Sequence, residues 1–305
     1  MKILISGFGS HAKRRIIPAL LNCNEVKEID VILRNDNKDG SPNIKFVDLS
    51  EVENKKYDNV IISSPPYAHK ENLMSLKENS DNFIIEKPIF DNLNDLTDDN
   101  LISEFKNKNI FEGLMYFYHP IWSEVKKIFN TESVIEFSSS FTIPHIEDTN
   151  YRYIKDKGGG FTLDLGVYPI SLFFNLIGHN FEIIKQNLYC ETDFQVDLGG
   201  NIQIKTEKDI IYTGKWGVGF EYTNHLNIKT NKKTYNFPFI FTKDENFYSY
   251  YIEKEKNIKR KIEIGKYDQI QLMYEYFFSK KINQYGLNND LFKTYKLLFD
   301  LISNK

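Results

Sequence analysis

Residues 158–169 read Gly-Gly-Gly-Phe-Thr-Leu-Asp-Leu-Gly-Val-Tyr-Pro. Three glycines lead into an apolar, helix-capable run that continues through Ile170, Leu172, Phe173, Phe174, Leu176 and Ile177 to a helix stop at Gly178. Within it Asp164 and Tyr168 are four residues apart, a spacing that puts a carboxylate and a phenol on one helix face. Those groups are half of an acid–base site. A free phenol, with a pKa near about 10, is a poor base at neutral pH. A nearby ammonium favours the phenolate and lowers that value. Lys87 is the candidate ammonium. Phe83-Ile84-Ile85 reads as a strand ending in Glu86-Lys87-Pro88, and the proline restricts Lys87 at the strand's carboxyl end. In the catalytic reading Tyr168 gives or takes the proton and Lys87 tunes it and hydrogen-bonds the substrate oxygen. Asp164 orients the substrate hydroxyl or the lysine. The plain alternatives are a solvated strand-end lysine, an ordinary helix carboxylate and one more tyrosine among 19.

A proton moved at a hydroxyl or carbonyl carbon accompanies a hydride, and the start of the chain offers a place for a hydride carrier. Residues 2–6 read as a buried strand, followed by Gly7-Phe8-Gly9-Ser10-His11-Ala12 and a helical stretch. This is a dinucleotide fingerprint with alanine in the third glycine position. Gly7 allows the tight turn, Gly9 lets the backbone approach a pyrophosphate, and Ala12 lets helix and strand pack closely. The helix N-terminus turns free N–H groups toward the phosphates. A second strand over 28–33 runs into Arg34-Asn35-Asp36. An NAD site usually places an acid about 20 residues beyond the glycines. Arg34 stands there and can clamp a 2′-phosphate, with Arg14 and Arg15 adding to the field, while Asp36 can still reach a ribose hydroxyl. NADP(H) is therefore favoured, with NAD(H) as the alternative. A strand over 59–63 ends in Ser63-Ser64-Pro65-Pro66-Tyr67-Ala68-His69, where prolines force the chain out of the sheet at the ligand-binding end. His69, near the start of a helix over 68–78, can touch cofactor or substrate or simply pack. A helix over 91–107, a strand over 110–115 and a helix to 129 complete this half.

After residue 112 the strand–helix alternation stops. Extended runs follow at 134–142, 181–190, 194–206, 209–215, 224–230, 233–239, 248–254 and 260–263, with two closing helices over 268–280 and 289–303. Runs of strands after βα units predict a second, α+β domain on a mainly antiparallel sheet. With 305 residues the chain has room for two domains. A net charge of −3 gives no sign of a nucleic-acid or membrane-surface partner. Cys23 and Cys190 are isolated, which predicts two buried apolar thiols in a reducing compartment. No signal peptide, membrane-length run or internal repeat is evident, so a cytoplasmic protein is expected. Six scattered histidines lack metal-ligand spacing. Arg152, shortly before the glycines, is a candidate for substrate oxygens or phosphate. Trp216 and His225 are weaker candidates for a sugar pocket, a strand tryptophan being more often core.

Taken together, Gly7–Ala12, Glu86-Lys87-Pro88 and Gly158–Pro169, with Glu112–Pro120 as a further match, resemble the Gfo/Idh/MocA oxidoreductases. The glycine triplet and Asp-Leu-Gly-Val-Tyr-Pro are most similar to the branch with glucose–fructose oxidoreductase, dimeric dihydrodiol dehydrogenase and D-xylose dehydrogenase. The resemblance covers the whole chain in order. It implies an α/β Rossmann dinucleotide-binding domain (1–116) and a C-terminal α+β domain (117–305) whose large open sheet serves substrate binding and assembly into a dimer or tetramer. It implies NAD(P)-linked hydride transfer on a sugar, sugar nucleotide or cyclic polyol. The alternatives are a ketoreductase of deoxysugar or surface-polysaccharide biosynthesis, and a dinucleotide-binding regulator without chemistry. Lys87, Asp164 and Tyr168 match the family's catalytic positions. Gly7, Phe8, Gly9, Ser10, His11, Ala12, Arg34, Ser64, Pro65, His69, Glu86 and Lys87 are expected at the cofactor. Lys87, Tyr118, His119, Arg152, Asp164 and Tyr168 are expected at the substrate, across an interdomain cleft. Two departures stand out. Phe117 occupies a position where relatives commonly carry arginine, which implies a different substrate orientation or a less anionic ligand. Tyr67 stands where a smaller polar residue is frequent.

Overall fold

The structure is a computed structural model that describes residues 1–33, 43–279 and 289–303. The chain divides into two compact units, Met1–Leu114 with Ile270–Phe292, and Met115–Gln269 with Lys293–Lys305.

The first unit contains β1 (Lys2–Ser6), α1 (Ile17–Leu21), β2 (Glu28–Ile32), β3 (Ile44–Val47), α2 (Leu49–Val52), β4 (Asn59–Ile62), α3 (His69–Leu76), β5 (Asn82–Ile85), α4 (Asp99–Phe105) and β6 (Asn109–Glu112). Among the described residues its strands form one parallel sheet in the order β3-β2-β1-β4-β5-β6. Ile3, Leu4, Ile5, Val60, Ile61, Ile62, Phe83, Ile84 and Ile85 are buried, as two-sided covering of a parallel sheet requires. The order reverses between β1 and β4, and a crevice for ligands opens at such a switch point, beyond the strands' carboxyl ends. β3 and α2 are not among the elements expected from the sequence. The helix expected over 91–107 is interrupted. A 3₁₀ turn spans Leu93–Thr97, and the Asp98 carboxylate then accepts from Leu101 N at 2.9 Å, capping a new start at α4.

The second unit contains α5 (Pro120–Thr131), β7 (Val134–Ile143), α6 (Val167–Ile177), β8 (Phe181–Tyr189), β9 (Gly199–Thr206), β10 (Ile211–Val218), β11 (Thr223–Thr230), β12 (Thr234–Pro238), β13 (Tyr248–Glu255) and β14 (Ile258–Lys266). Its sheet runs β14-β13-β12-β11-β7-β10-β9-β8, antiparallel throughout except at β7–β10. The expected run at 194–206 is a strand only from Gly199. Period-two alternation divides the sheet faces. Phe137, Phe141, Tyr212, Trp216 and Leu226 are buried on the side of α6, where Phe173 stacks on Tyr212 at 5.1 Å and the Tyr212 hydroxyl donates to Pro169 O at 2.8 Å. The opposite face carries Glu136, Ser138, Gln203, Thr213, Asn227 and Asn236, which line a shallow depression of about 940 Å³.

Two further helices are α7 (Gln269–Ser279) and α8 (Asn289–Ser303). The sequence reading put everything from 117 onward in the second domain, but α7 returns to the first unit. Its buried Ile270, Met273, Tyr274, Phe277 and Phe278 explain why, with Phe277 stacked on Phe111 of β6 at 4.5 Å. Contrary to the expectation of no membrane-length stretch, Lys155–Ile177 has that length and apolarity, and 83% of its apolar window is buried as core. Cys23 is buried as expected, whereas Cys190, at the end of an edge strand, is exposed; both are free thiols.

Candidate active site

In the first unit the fingerprint loop is built around Gly7. Its φ is +106°, and a Cβ there would stand 2.5 Å from Ser64 N, so only glycine fits. Ser63 N donates to Ser6 O and Ser63 Oγ to Gly7 O, each at 2.8 Å, which ties the loops after β1 and β4 together. A Cβ on Gly9 would meet no heavy atom within 4 Å. Ala12 is buried under the first turn. That turn is a π turn, Ala12–Ile16, where a regular α-helix was expected; such wide turns recur at functional sites. The tight turn, the open space at Gly9 and the close packing at Ala12 fit the pyrophosphate of a dinucleotide. Phe8 meets Phe46 edge-on at 5.0 Å, and the Lys13 ammonium lies 4.5 Å over the Phe8 ring. Arg34 lies outside the described residues. Ser10 and His11 are exposed at the start of the helical segment that leads into the π turn.

His69 is buried, with Nε2 2.8 Å from Ser64 O and Nδ1 3.3 Å from Ile89 O. Both ring nitrogens thus face backbone carbonyls, and burial holds the imidazole pKa down. The ring joins the Ser64–Pro65 loop to the loop after β5, a tethering role in place of the expected cofactor contact. Asn72 supports the same loop by donating to Ser64 Oγ at 2.7 Å. Glu86 lies 3.7 Å from His11 Nε2, and its carboxylate fills the space a side chain at Gly113 would need. Lys87 follows β5, half-buried at the carboxyl end of the sheet.

In the second unit the glycine triplet reverses the chain. Gly158 is left-handed at φ +67°, and a Cβ on Gly159 would stand 2.6 Å from both Arg152 O and Ile154 O. Gly160 N donates to Arg152 O at 2.9 Å. The reversal brings Arg152 against Asp164, with Nε donating to Oδ2 at 2.7 Å. The carboxylate raises the guanidinium's pKa against the opposing effect of burial. Arg152 was expected on substrate; its partner here is Asp164, the expected orienting carboxylate. The stretch expected as regular helix begins with a π turn, Thr162–Gly166, before α6. Gly166 leaves room for the Trp216 ring, 3.0 Å from where its Cβ would be. Trp216 Nε1 donates to Thr162 Oγ1 at 2.9 Å, and Asp197 Oδ2 accepts from Thr162 N and Oγ1, each at 2.6 Å. Trp216 is therefore core, and Asp197, only 2% exposed, anchors the turn that carries Asp164. The sequence reading missed Asp197. A lone acid between Val196 and Leu198 is the signal that could have found it.

Tyr168 is 2% exposed, its ring 5.0 Å from Phe141, 5.6 Å from Phe241 and 6.0 Å from Tyr116. Tyr118 is half-buried in the 3₁₀ turn Met115–Tyr118. His119, expected on substrate, is 1% exposed and caps α5: Nδ1 accepts from Ile121 N at 3.1 Å, and Nε2 lies 3.2 Å from Ser249 Oγ. Burial and the Lys243 charge push its pKa down to about 3. Lys243, also missed, donates to Gln269 Oε1 at 3.0 Å and is pushed down to about 7 by burial. Phe117 packs on Tyr116 and Trp122, ring centres 4.0 and 5.0 Å away. His225 pairs with Ser140 and Pro238 on the face opposite α6, away from Tyr168. Among the described residues no cluster of three or more potential metal ligands occurs.

Residues 1–110 match the family model described as oxidoreductase family, NAD-binding Rossmann fold (GFO_IDH_MocA). Two similar curated proteins are dTDP-3,4-didehydro-2,6-dideoxy-alpha-D-glucose 3-reductases. That of Actinomadura kijaniata is 33% identical over 39% of this chain and 37% of its own length. That of Saccharopolyspora spinosa is 25% identical over 68% of this chain and 65% of its own. The matches thus span under two thirds of those relatives. KijD10, a 3-ketoreductase from Actinomadura kijaniata solved with NADP and TDP-benzene, shares the fold with a TM-score of 0.86 at 21% identity, over 100% of this chain and 97% of that one. Aldose-aldose oxidoreductase from Caulobacter crescentus does so at 0.83 and 14%, over 100% and 98%. Residues 1–110 are thus similar to the NAD-binding Rossmann domain of the Gfo/Idh/MocA oxidoreductases, and the whole chain, with its parallel sheet in one unit and its mainly antiparallel sheet in the other, shares the fold of these solved structures.

Proposed function

We propose that the protein is an NADP(H)-dependent ketoreductase acting on a sugar carried by a nucleoside diphosphate. The observation that carries this reading is that each unit holds a half-site of matching chemistry. A dinucleotide cradle stands at the switch point of the first unit, and a carboxylate and a phenol on one turn stand in the second. The sugar-nucleotide 3-reductases among the relatives narrow the substrate class. The cofactor, when bound, supplies the hydride. Gly7, Gly9 and Ala12 would hold its pyrophosphate, with the Ser64–Pro65 loop, tethered by His69, packed against Gly7. As the carbonyl carbon gains a hydrogen, its oxygen takes the π electron pair and needs a proton. Tyr168 gives that proton, with Lys87 the cation that the sequence pattern assigns to the developing oxyanion. Asp164 orients the substrate hydroxyl next to the reacting carbon. The cationic fingerprint end (Lys13, Arg14, Arg15) supports NADP(H) over NAD(H). We place assembly on the open, polar face of the second unit's sheet, and the protein in the cytoplasm.

The test is consumption of NADPH, followed by its absorbance, with keto sugars attached to a nucleoside diphosphate and with the same keto sugars free. Turnover confined to the nucleotide-linked substrates supports the reading. Turnover of free aldoses or polyols instead moves the protein to the sugar-dehydrogenase class, and tight NADP(H) binding with no turnover moves it to a regulator.

A further inference from the structure

We propose that Arg152 is a positioning residue of the proton-transfer site, neutralising Asp164 and thereby setting how readily Tyr168 ionises. This rests on Tyr168 being the residue that moves the proton.

The geometry holds Arg152 in place at both ends. Its carbonyl accepts from Gly160 N at 2.9 Å, and Gly159 has no room for a side chain against the same carbonyl. Its guanidinium donates through Nε to Asp164 at 2.7 Å and lies 4.8 Å over the Tyr151 ring. The two side chains are 29% and 11% exposed, so water screens the pair only in part. An arginine committed this way is a poor ligand for a passing substrate and a good counter-ion for a carboxylate.

The consequence falls on the phenol. A bare carboxylate one turn before Tyr168 opposes its ionisation, and a guanidinium beside that carboxylate cancels the effect. An ionised Tyr168 is itself among the charges that raise the Arg152 pKa, after Asp164 and Tyr151, so the guanidinium and the phenol share one field. The other elements around the phenol are far less polar. The 3₁₀ turn before α5 brings the Tyr116 phenol, β7 the Phe141 ring and the segment after β12 the Phe241 ring. Among the described residues, Arg152 is a charged group of the second unit that shares a field with Tyr168, Asp164 is its ion-pair partner, and the Tyr116 phenol packs beside Tyr168.

Opposite members of a neutral pair shift a third group in opposite directions. Arg152→Gln leaves Asp164 bare and moves Tyr168 ionisation to higher pH. Asp164→Asn leaves Arg152 bare and moves it to lower pH. The double variant returns it toward the original value. Each single shift is expected at about one pH unit, the low end of what a neighbouring charge produces. The direct readout is an NMR titration of the chain labelled with ¹³Cζ-tyrosine, without cofactor or substrate, the signal being assigned by its loss in Tyr168→Phe. Arg152→Lys keeps the charge and should hold the titration near its original midpoint. In turnover, Arg152→Gln should shift the pH profile and lower kcat by a larger factor than it raises substrate KM, because Arg152 reaches the substrate only through Asp164.

Opposite shifts with cancellation in the double variant support the proposal. A Tyr168 titration unmoved by Arg152→Gln, or moved the same way by both single variants, overturns it. A rise in KM alone makes Arg152 a substrate ligand and overturns it too. If no keto sugar nucleotide is turned over, the functional reading fails while the titration still decides the role of Arg152.

Discussion

Gly160→Ala is expected to unseat the turn that carries Asp164. The native φ of +125° belongs to a region that only glycine occupies comfortably, and an alanine held there costs about 1–3 kcal/mol. The new Cβ would also stand 2.9 Å from Asp197 Oδ1. That carboxylate cannot swing aside freely, because its other oxygen accepts from Thr162 N and Oγ1 at 2.6 Å each. Giving up one hydrogen bond to a charged group costs about 1.5–3 kcal/mol. The sum is about 2.5–6 kcal/mol, a large part of the roughly 5–15 kcal/mol that holds a domain folded. Gly178→Ala is the internal control. Its φ of +92° is also a glycine conformation, but no atom lies within 4 Å of its Cβ, so only the backbone cost applies. The assay is urea unfolding followed by tryptophan fluorescence. Both tryptophans, Trp122 and Trp216, lie in the second unit, and Trp216 bonds directly to Thr162, so the signal reports on this region. Gly160→Ala should lose at least about 1.5 kcal/mol more than Gly178→Ala at unchanged m. Equal losses would refute the role given to Asp197.

Three further outcomes are expected. Tyr168→Phe should lower kcat by about 10²–10⁴-fold while NADPH binding, read by nucleotide fluorescence, stays intact, since general-acid catalysis has that reach. Gly7→Ala should do the reverse, abolishing NADP(H) binding in calorimetry, because its Cβ would stand 2.5 Å from Ser64 N and the loop would have to move. Lys243→Met should change how stability depends on pH. Burial holds the folded pKa of Lys243 at about 7, below its unfolded value, so between those values the unfolded chain binds the extra proton. Stability from this group therefore rises with pH above about 7 in the parent and is flat in the variant, which should also be the more stable below pH 7. Thermal unfolding across that range measures both.

The sequence by itself determined the elements, the order of the two architectures and the identity of the chemical groups. Apolar runs such as Ile3–Ile5 and Phe83–Ile85 announce parallel strands because both faces are covered, and period-two alternation in 134–142 or 209–215 announces a sheet with one open face. The glycines of the fingerprint and of 158–160 mark turns because few other residues can follow those backbones. These are local signals, written into a few consecutive residues. Only the tertiary structure decided which side chain meets which. Arg152 and Asp164 are twelve positions apart and meet because a glycine reversal folds one onto the other. His69 and His119 looked like ligand contacts by residue type, and both turned inward onto protein groups; Asp197 became the anchor of a turn 35 residues away. The return of α7 to the first unit depended on Phe277 finding Phe111. Such partnerships are settled by burial and by the need to satisfy every buried polar group at once, a condition on the whole packed chain that no window of sequence contains.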